Sequence, residues 1–208
     1  MRVKMLINDA ESREHKRFSA VSRVIQSVLI STLIVLVVIM VIQIKHLQGT
    51  ARVINYAGLA RGATQRLVKL EIIGIHDDEF VQYLDDILDD LKYDDGSYGL
   101  VSLEDANYQG KLDSLIDYWR KLKKEIKKAR DCGYEATDIV AMSETYFWLA
   151  DEVVSAAEAY SDKAAKQMRL VELLSVVDML ILFLLITEQS LSSMRIIRKN
   201  RILEQKAY

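Results

Sequence analysis

The stretch Val53–Lys69 holds the side chains best suited to recognising another molecule. It reads Val-Ile-Asn-Tyr-Ala-Gly-Leu-Ala-Arg-Gly-Ala-Thr-Gln-Arg-Leu-Val-Lys, with small residues at Ala57, Gly58, Ala60, Gly62 and Ala63. A glycine inside a helix costs about 1 kcal/mol relative to alanine. Gly58 and Gly62 therefore predict an offsetting close approach, of a second helix or of a ligand, and they form a small-xxx-small pair. Ile54, Arg61 and Val68 are spaced in sevens, so Arg61 interrupts a partly apolar stripe. A guanidinium placed there needs an acceptor. Two acceptors fit: an internal carboxylate such as Glu71 or Glu144, or a planar or tetrahedral anion held bidentately. Arg66 lies ~140° further round a helix and is expected to serve a different face.

Other chemistry is poorly represented. Cys132, the one cysteine, stands beside Gly133 and excludes an internal disulfide framework. His46 and His76 are too far apart along one helix to share a metal. The run Asp85, Asp86, Asp89 and Asp90 reads as a solvated helix face. With no metal cluster, phosphate loop or nucleophile elbow in the sequence, neither an enzyme nor a bound cofactor is expected.

The elements that position Arg61 follow from hydropathy. Val24–Ile44 carries no charged side chain, and a second apolar span covers residues 170–189. About 20 helical residues cross a ~30 Å hydrocarbon core, so both are transmembrane candidates in contact with membrane lipid. The first is too long for the apolar core of a signal peptide and is expected to be an uncleaved anchor. The second contains Glu172 and Asp178; Asp178 is expected to face another helix or a wet seam, or to be protonated. Arg2, Lys4, Arg13, Lys16, Arg17 and Arg23 precede the first span. Arg195, Arg198, Lys199, Arg201 and Lys206 follow the second. The positive-inside rule then places both termini in the cytoplasm, with residues 45–169 outside the inner or plasma membrane. That middle segment has 17 Lys and Arg against 23 Asp and Glu, a formal charge of −6, which argues against a nucleic-acid partner.

The chain has no proline, so long helices are expected. The first should leave the membrane without a break and end near Gly74, with His76-Asp77-Asp78 capping the next. Phe80, Leu84, Ile87, Leu88 and Leu91 predict an amphipathic second helix. Asp94-Asp95-Gly96-Ser97 and Gly99 mark a loop that lasts to about Ala106. Leu112, Leu115, Ile116, Trp119, Leu122 and Ile126 give a third helix, ending near Cys132-Gly133. A fourth should begin around Ala136 and run into the second span. The expected fold is all-α: two transmembrane helices flanking an extracytoplasmic up-down-up-down four-helix bundle. Its divisions are a basic tail (1–23), a first span (24–44), the bundle (45–169), a second span (170–189) and a cytoplasmic signalling helix (190–208).

The pattern Ile54-Asn55-x-Ala57-Gly58-x-x-Arg61-x-x-x-Gln65-Arg66-Leu67 resembles the membrane-proximal first-helix motif of the type IV pilus chemotaxis-transducer sensor domain, which nitrate/nitrite sensor histidine kinases share. The resemblance implies a periplasmic four-helix-bundle sensor, a homodimer, and an anion held on the dimer axis by an arginine from each subunit. Arg61 matches that arginine, and Asn55, Gly58, Gln65 and Arg66 complete the candidate ligand site. Gly62, Ala63 and Thr64 depart from the nitrate-sensor pattern, so the ligand's identity does not carry over. Leu203-Glu204-Gln205-Lys206-Ala207-Tyr208 resembles the short helix leading into diguanylate cyclase domains of the GGDEF type. No GGDEF motif is present, which leaves a fragment of a longer receptor or a natural short form. The expected function is a transmembrane sensor passing extracytoplasmic ligand binding to a cytoplasmic output domain or partner. The alternative is a membrane-anchored helical interaction protein with no small-molecule ligand.

Overall fold

The computed structural model describes residues 2–93 and 96–207, with side chains described from Ala20 to Arg198 and at Arg201, Ile202 and Gln205. Expectations for Asp94 and Asp95, for the side chains of the first 19 residues, and for those of Lys199, Leu203, Glu204 and Lys206–Tyr208 lie outside them. Among the described residues there are four α-helices and no strand: α1 Arg2–Ile72, α2 Asp78–Lys92, α3 Ala106–Cys132 and α4 Ile139–Ala207. At 71 and 69 residues, α1 and α4 far exceed the ~11–12-residue mean of globular helices, as a chain without proline permits. The most apolar 18-residue windows of these two helices have mean hydropathies of 2.8 and 2.5, long and apolar enough to cross a membrane. None of the first window and 6% of the second is buried, unlike the core helix of a soluble protein.

The chain divides into two compact units: a head unit, Gln43–Gln167, and a span unit formed by the remaining parts of α1 and α4. In the span unit, α1 shields Leu29, Leu33, Leu36 and Met40, and α4 shields Val171, Ser175, Asp178, Leu182 and Leu185. The alternating spacing of three and four is that of a two-helix seam. Gln26 Nε2 donates to Gln189 Oε1 at 2.8 Å across it. Asp178 lies within this shielded stripe at 8% exposure, and its Oδ2 has no hydrogen-bond partner among the described residues.

The head unit has one hydrophobic core drawn from all four helices. Val53, Ala57, Ala60 and Leu67 come from α1; Leu84, Ile87, Leu88 and Leu91 from α2. Leu112, Leu115, Trp119 and Leu122 come from α3; Ile139, Tyr146, Ala150 and Val153 from α4. Burying a large aliphatic or aromatic side chain contributes roughly 1.5–3 kcal/mol, so this core outweighs any single polar contact. Asp77 caps α2 by accepting from Phe80 N at 2.9 Å, and Asp105 caps α3 by accepting from Tyr108 N at 2.9 Å. Gly133 ends α3 at φ +83° and ψ 147°, a conformation that a side chain resists.

Two details differ from expectation. α4 begins at Ile139, after a 3₁₀ turn at Tyr134–Ala136, and not near Ala136. Glu125 on α3 accepts from Asp138 N at 3.0 Å, and Asp138 O accepts the first helical N–H, from Met142, at 2.8 Å. The helix therefore starts from a residue tied to α3. The aspartate run is also not a uniformly solvated face. Asp90 is 1% exposed and accepts from Tyr98 N at 2.7 Å, which folds the loop after α2 back on the helix. Asp85 is half-buried and accepts from Trp119 Nε1 at 2.7 Å and Lys123 Nζ at 2.5 Å.

Candidate functional site

Arg61 lies at the edge of the core stripe of α1, beside α4. Its guanidinium donates to Asp151 Oδ1 and sits 5.3 Å from the centre of the Phe147 ring. The acceptor is Asp151, one of the bundle carboxylates the position called for, and not Glu71 or Glu144. The two side chains are 31% and 41% exposed, so water reaches both. Asp151 Oδ1 engages one of the arginine's five N–H donors. The pair could thus accept an anion by exchanging Asp151 for it.

One helical turn on, Gln65 Nε2 donates to Ser143 O at 2.8 Å and lies 3.4 Å from Ser143 Oγ. Thr64, fully buried, returns its hydroxyl to Ala60 O at 2.8 Å. Tyr146 is buried beside it, and burial pushes its phenol well above the ordinary range. Trp119 packs on Tyr146 with ring centroids 5.8 Å apart. Trp119 in turn donates from Nε1 to Asp85, while the Tyr146 hydroxyl has no hydrogen-bond partner among the described residues.

The remaining candidate residues separate from Arg61. Asn55 is exposed. Arg66 is exposed on another face, as its angular position requires, with its guanidinium 5.6 Å from the Phe80 ring centre on α2. Gly58 and Gly62 have no atom within 4 Å of where a Cβ would stand. The close approach expected at these glycines is therefore not made by this chain's own helices. The structure sets Arg61 and Gln65 of α1 side by side against α4 and leaves Asn55, Gly58 and Gly62 facing open space.

A second charged cluster was not foreseen. Glu71, whose side chain is fully shielded, accepts from Arg130 Nε at 2.9 Å and also from Arg130 Nη2. His76 Nδ1 lies 2.7 Å from Glu71 Oε2, and Arg130 Nη1 donates to Asp78 at 2.7 Å. Burial raises the Glu71 pKa, but the hydrogen bonds from Arg130 and His76 outweigh it and hold the carboxyl below its ordinary value of 4.5. The available signal was spacing: Glu71 continues the core stripe of Thr64, Leu67 and Val68. Among the described residues, no group of three or more His, Cys, Asp or Glu is arranged to hold a metal ion. No protein-family model, curated protein or solved structure matches the chain.

Proposed function

We propose that the chain is a two-pass transmembrane sensor module with an extracytoplasmic up-down-up-down four-helix bundle and both termini in the cytoplasm. The observation that carries this reading is the continuity of α1 and α4, each one unbroken helix that includes an apolar span and part of the head core. The basic residues outside the spans supply the orientation. The head would form a homodimer through α1, and a small anion would bind at Arg61 in exchange for Asp151, with Gln65 close by. Such a ligand acts by its difference in affinity for two arrangements of α1 and α4, and the continuous helices carry the difference to a cytoplasmic partner or fused domain.

Two measurements test this. Reporter fusions at Tyr208 and within the Gly96–Asp105 loop should report cytoplasmic and extracytoplasmic sides respectively; a cytoplasmic loop rejects the topology. Titration of nitrate, phosphate and sulfate against the full chain in lipid nanodiscs should detect binding that Arg61→Ala abolishes. Equal binding by both proteins removes Arg61 from the site. The alternative, a membrane-anchored interaction protein without a small ligand, draws support from Asp151 and Phe147, which already give Arg61 partners within one chain. It predicts no saturable anion binding.

A further inference from the structure

Within the span unit, the start of the α1 span and the end of the α4 span enclose a cavity of about 470 Å³. That volume falls in the range of roughly 300–1,000 Å³ occupied by small-ligand sites. The lining changes character along its length. Ile25 and Leu185 belong to the apolar spans, whereas Ser22, Ser192, Ser193 and Arg195 lie beyond their ends. At ~1.5 Å per residue, Leu185 and Arg195 stand ~15 Å apart along α4. One end of the cavity is therefore apolar, and the other offers hydroxyls and a cation. A ligand that satisfies both ends is an amphiphile with an acidic head.

Arg195 continues the stripe that α4 turns toward α1. Leu182, Leu185, Gln189 and Ser192 are the shielded positions here, in alternating steps of three and four, and Arg195 is the next step. The cavity also has one carboxylate in its lining, Glu188. Neither Arg195 nor Glu188 has an ion pair among the described residues. Arg195 keeps its planar fork of donors for a phosphate, and Glu188 keeps its acceptors for a hydroxyl or an ammonium. Gln189, by contrast, is committed: it accepts from Gln26 Nε2 at 2.8 Å and closes the seam beside the cavity. A bare anion would meet Glu188 as well as Arg195. A phosphodiester that also carries a hydrogen-bond donor suits both.

We propose that this cavity binds one glycerophospholipid of the surrounding bilayer. The phosphodiester meets Arg195 and the serine hydroxyls, a headgroup donor meets Glu188, and an acyl chain lies along Ile25 and Leu185. Phosphatidylethanolamine and phosphatidylglycerol each carry such a donor, an ammonium or hydroxyls. Phosphatidylcholine has neither N–H nor O–H in its headgroup and satisfies only Arg195. Basic side chains near a membrane face attract acidic lipid at about 1 kcal/mol each without any built site. The cavity adds what diffuse attraction lacks: a fixed volume, an apolar end and a carboxylate that selects among headgroups. The proposal rests on the sensor reading only in placing the spans in a bilayer, and either orientation leaves the cavity at a membrane face.

The test uses the full chain in nanodiscs made from equal parts of the three lipids, with retained lipid counted by native mass spectrometry. The wild type should retain phosphatidylethanolamine or phosphatidylglycerol well above phosphatidylcholine. Arg195→Ala should cut that retention about tenfold, the loss of one charge-assisted phosphate contact. Arg198→Ala, which removes an equal charge one turn on and outside the lining, should change it less than about twofold. Ser192→Phe fills the cavity without altering charge and should also abolish retention. Glu188→Ala should erase the preference over phosphatidylcholine. Glycerophosphoethanolamine and glycerophosphoglycerol, the headgroups without acyl chains, should not compete at millimolar concentration. Circular dichroism should show every variant as helical as the wild type. Equal losses from Arg195→Ala and Arg198→Ala reduce the effect to diffuse surface charge and overturn the proposal. Retention that survives Ser192→Phe overturns it too, as does equal retention of all three lipids. Competition by the free headgroups assigns the site to a soluble phosphodiester and rejects the lipid. The reporter fusions score the sensor topology separately. A cytoplasmic head with Arg195-dependent retention rejects the topology and keeps the site, and an extracytoplasmic head without retention does the reverse.

Discussion

Two arginine–carboxylate pairs join helices of the same head unit, and they are built differently. Arg130 engages both oxygens of buried Glu71 through two donors and Asp78 through a third, while His76 Nδ1 lies against Glu71 Oε2, which already accepts from Arg130 Nε. Arg61 makes one hydrogen bond to one half-exposed carboxylate. The first arrangement leaves little capacity for a newcomer and ties together α1, the turn after it, α2 and α3. The second keeps donors and solvent access. Position in the stripe explains the contrast: Glu71 points into the core and must be saturated, whereas Arg61 lies at its margin.

The comparison is broken most sharply at Glu71. Glu71→Ala leaves Arg130 with only Asp78, and removing one member of a buried pair costs about 3–5 kcal/mol. Urea unfolding of the full chain in micelles should show that loss through the fluorescence of buried Trp119, read in a Trp148→Phe background. Acid probes the same cluster. A folded pKa below the unfolded one gives stability that is complete above about pH 4.5 and is lost as pH falls through the lower folded value. The wild-type urea midpoint should therefore fall across that window, and that of Glu71→Gln should fall distinctly less. Equal acid sensitivity would move the effect elsewhere.

Arg61→Ala should be mild by contrast, below about 1 kcal/mol, because exposed pairs are screened and entropically costly. A loss as large as that of Glu71→Ala would make Arg61 structural and take it out of the binding proposal. The smallest effect is that of salt. Near 1 M ionic strength, where the Debye length is ~3 Å, the stability difference between wild type and Arg61→Ala should vanish, while that for Glu71→Ala persists.

The sequence made the helices legible because their core stripes are periodic and their ends carry glycine or aspartate. Asp77 caps α2 and Gly133 closes α3 where the pattern placed them. Partner choice was far less legible. That Glu71 meets Arg130, 59 residues away, depends on the order in which four helices pack, and one sequence does not record that order. Asp90 misled for a related reason. Its spacing marks the polar side of α2, and only the returning loop buries it. At the candidate site, the stripe position showed that Arg61 needs an acceptor but could not choose among the carboxylates of α1 and α4. The two glycines predict a close approach by a second helix or a ligand, and that no helix of this chain supplies it is visible only in three dimensions.

The Gln26–Gln189 bridge in the span unit sets a mechanical condition on any movement of α4 along α1 there. Sliding α4 past α1 by one turn, about 5.4 Å, would pull the two amides apart and leave each without this partner, whereas a tilt or twist of a few degrees need not disturb them. The bridge thus acts as a detent that resists a long piston stroke and leaves small rotations free.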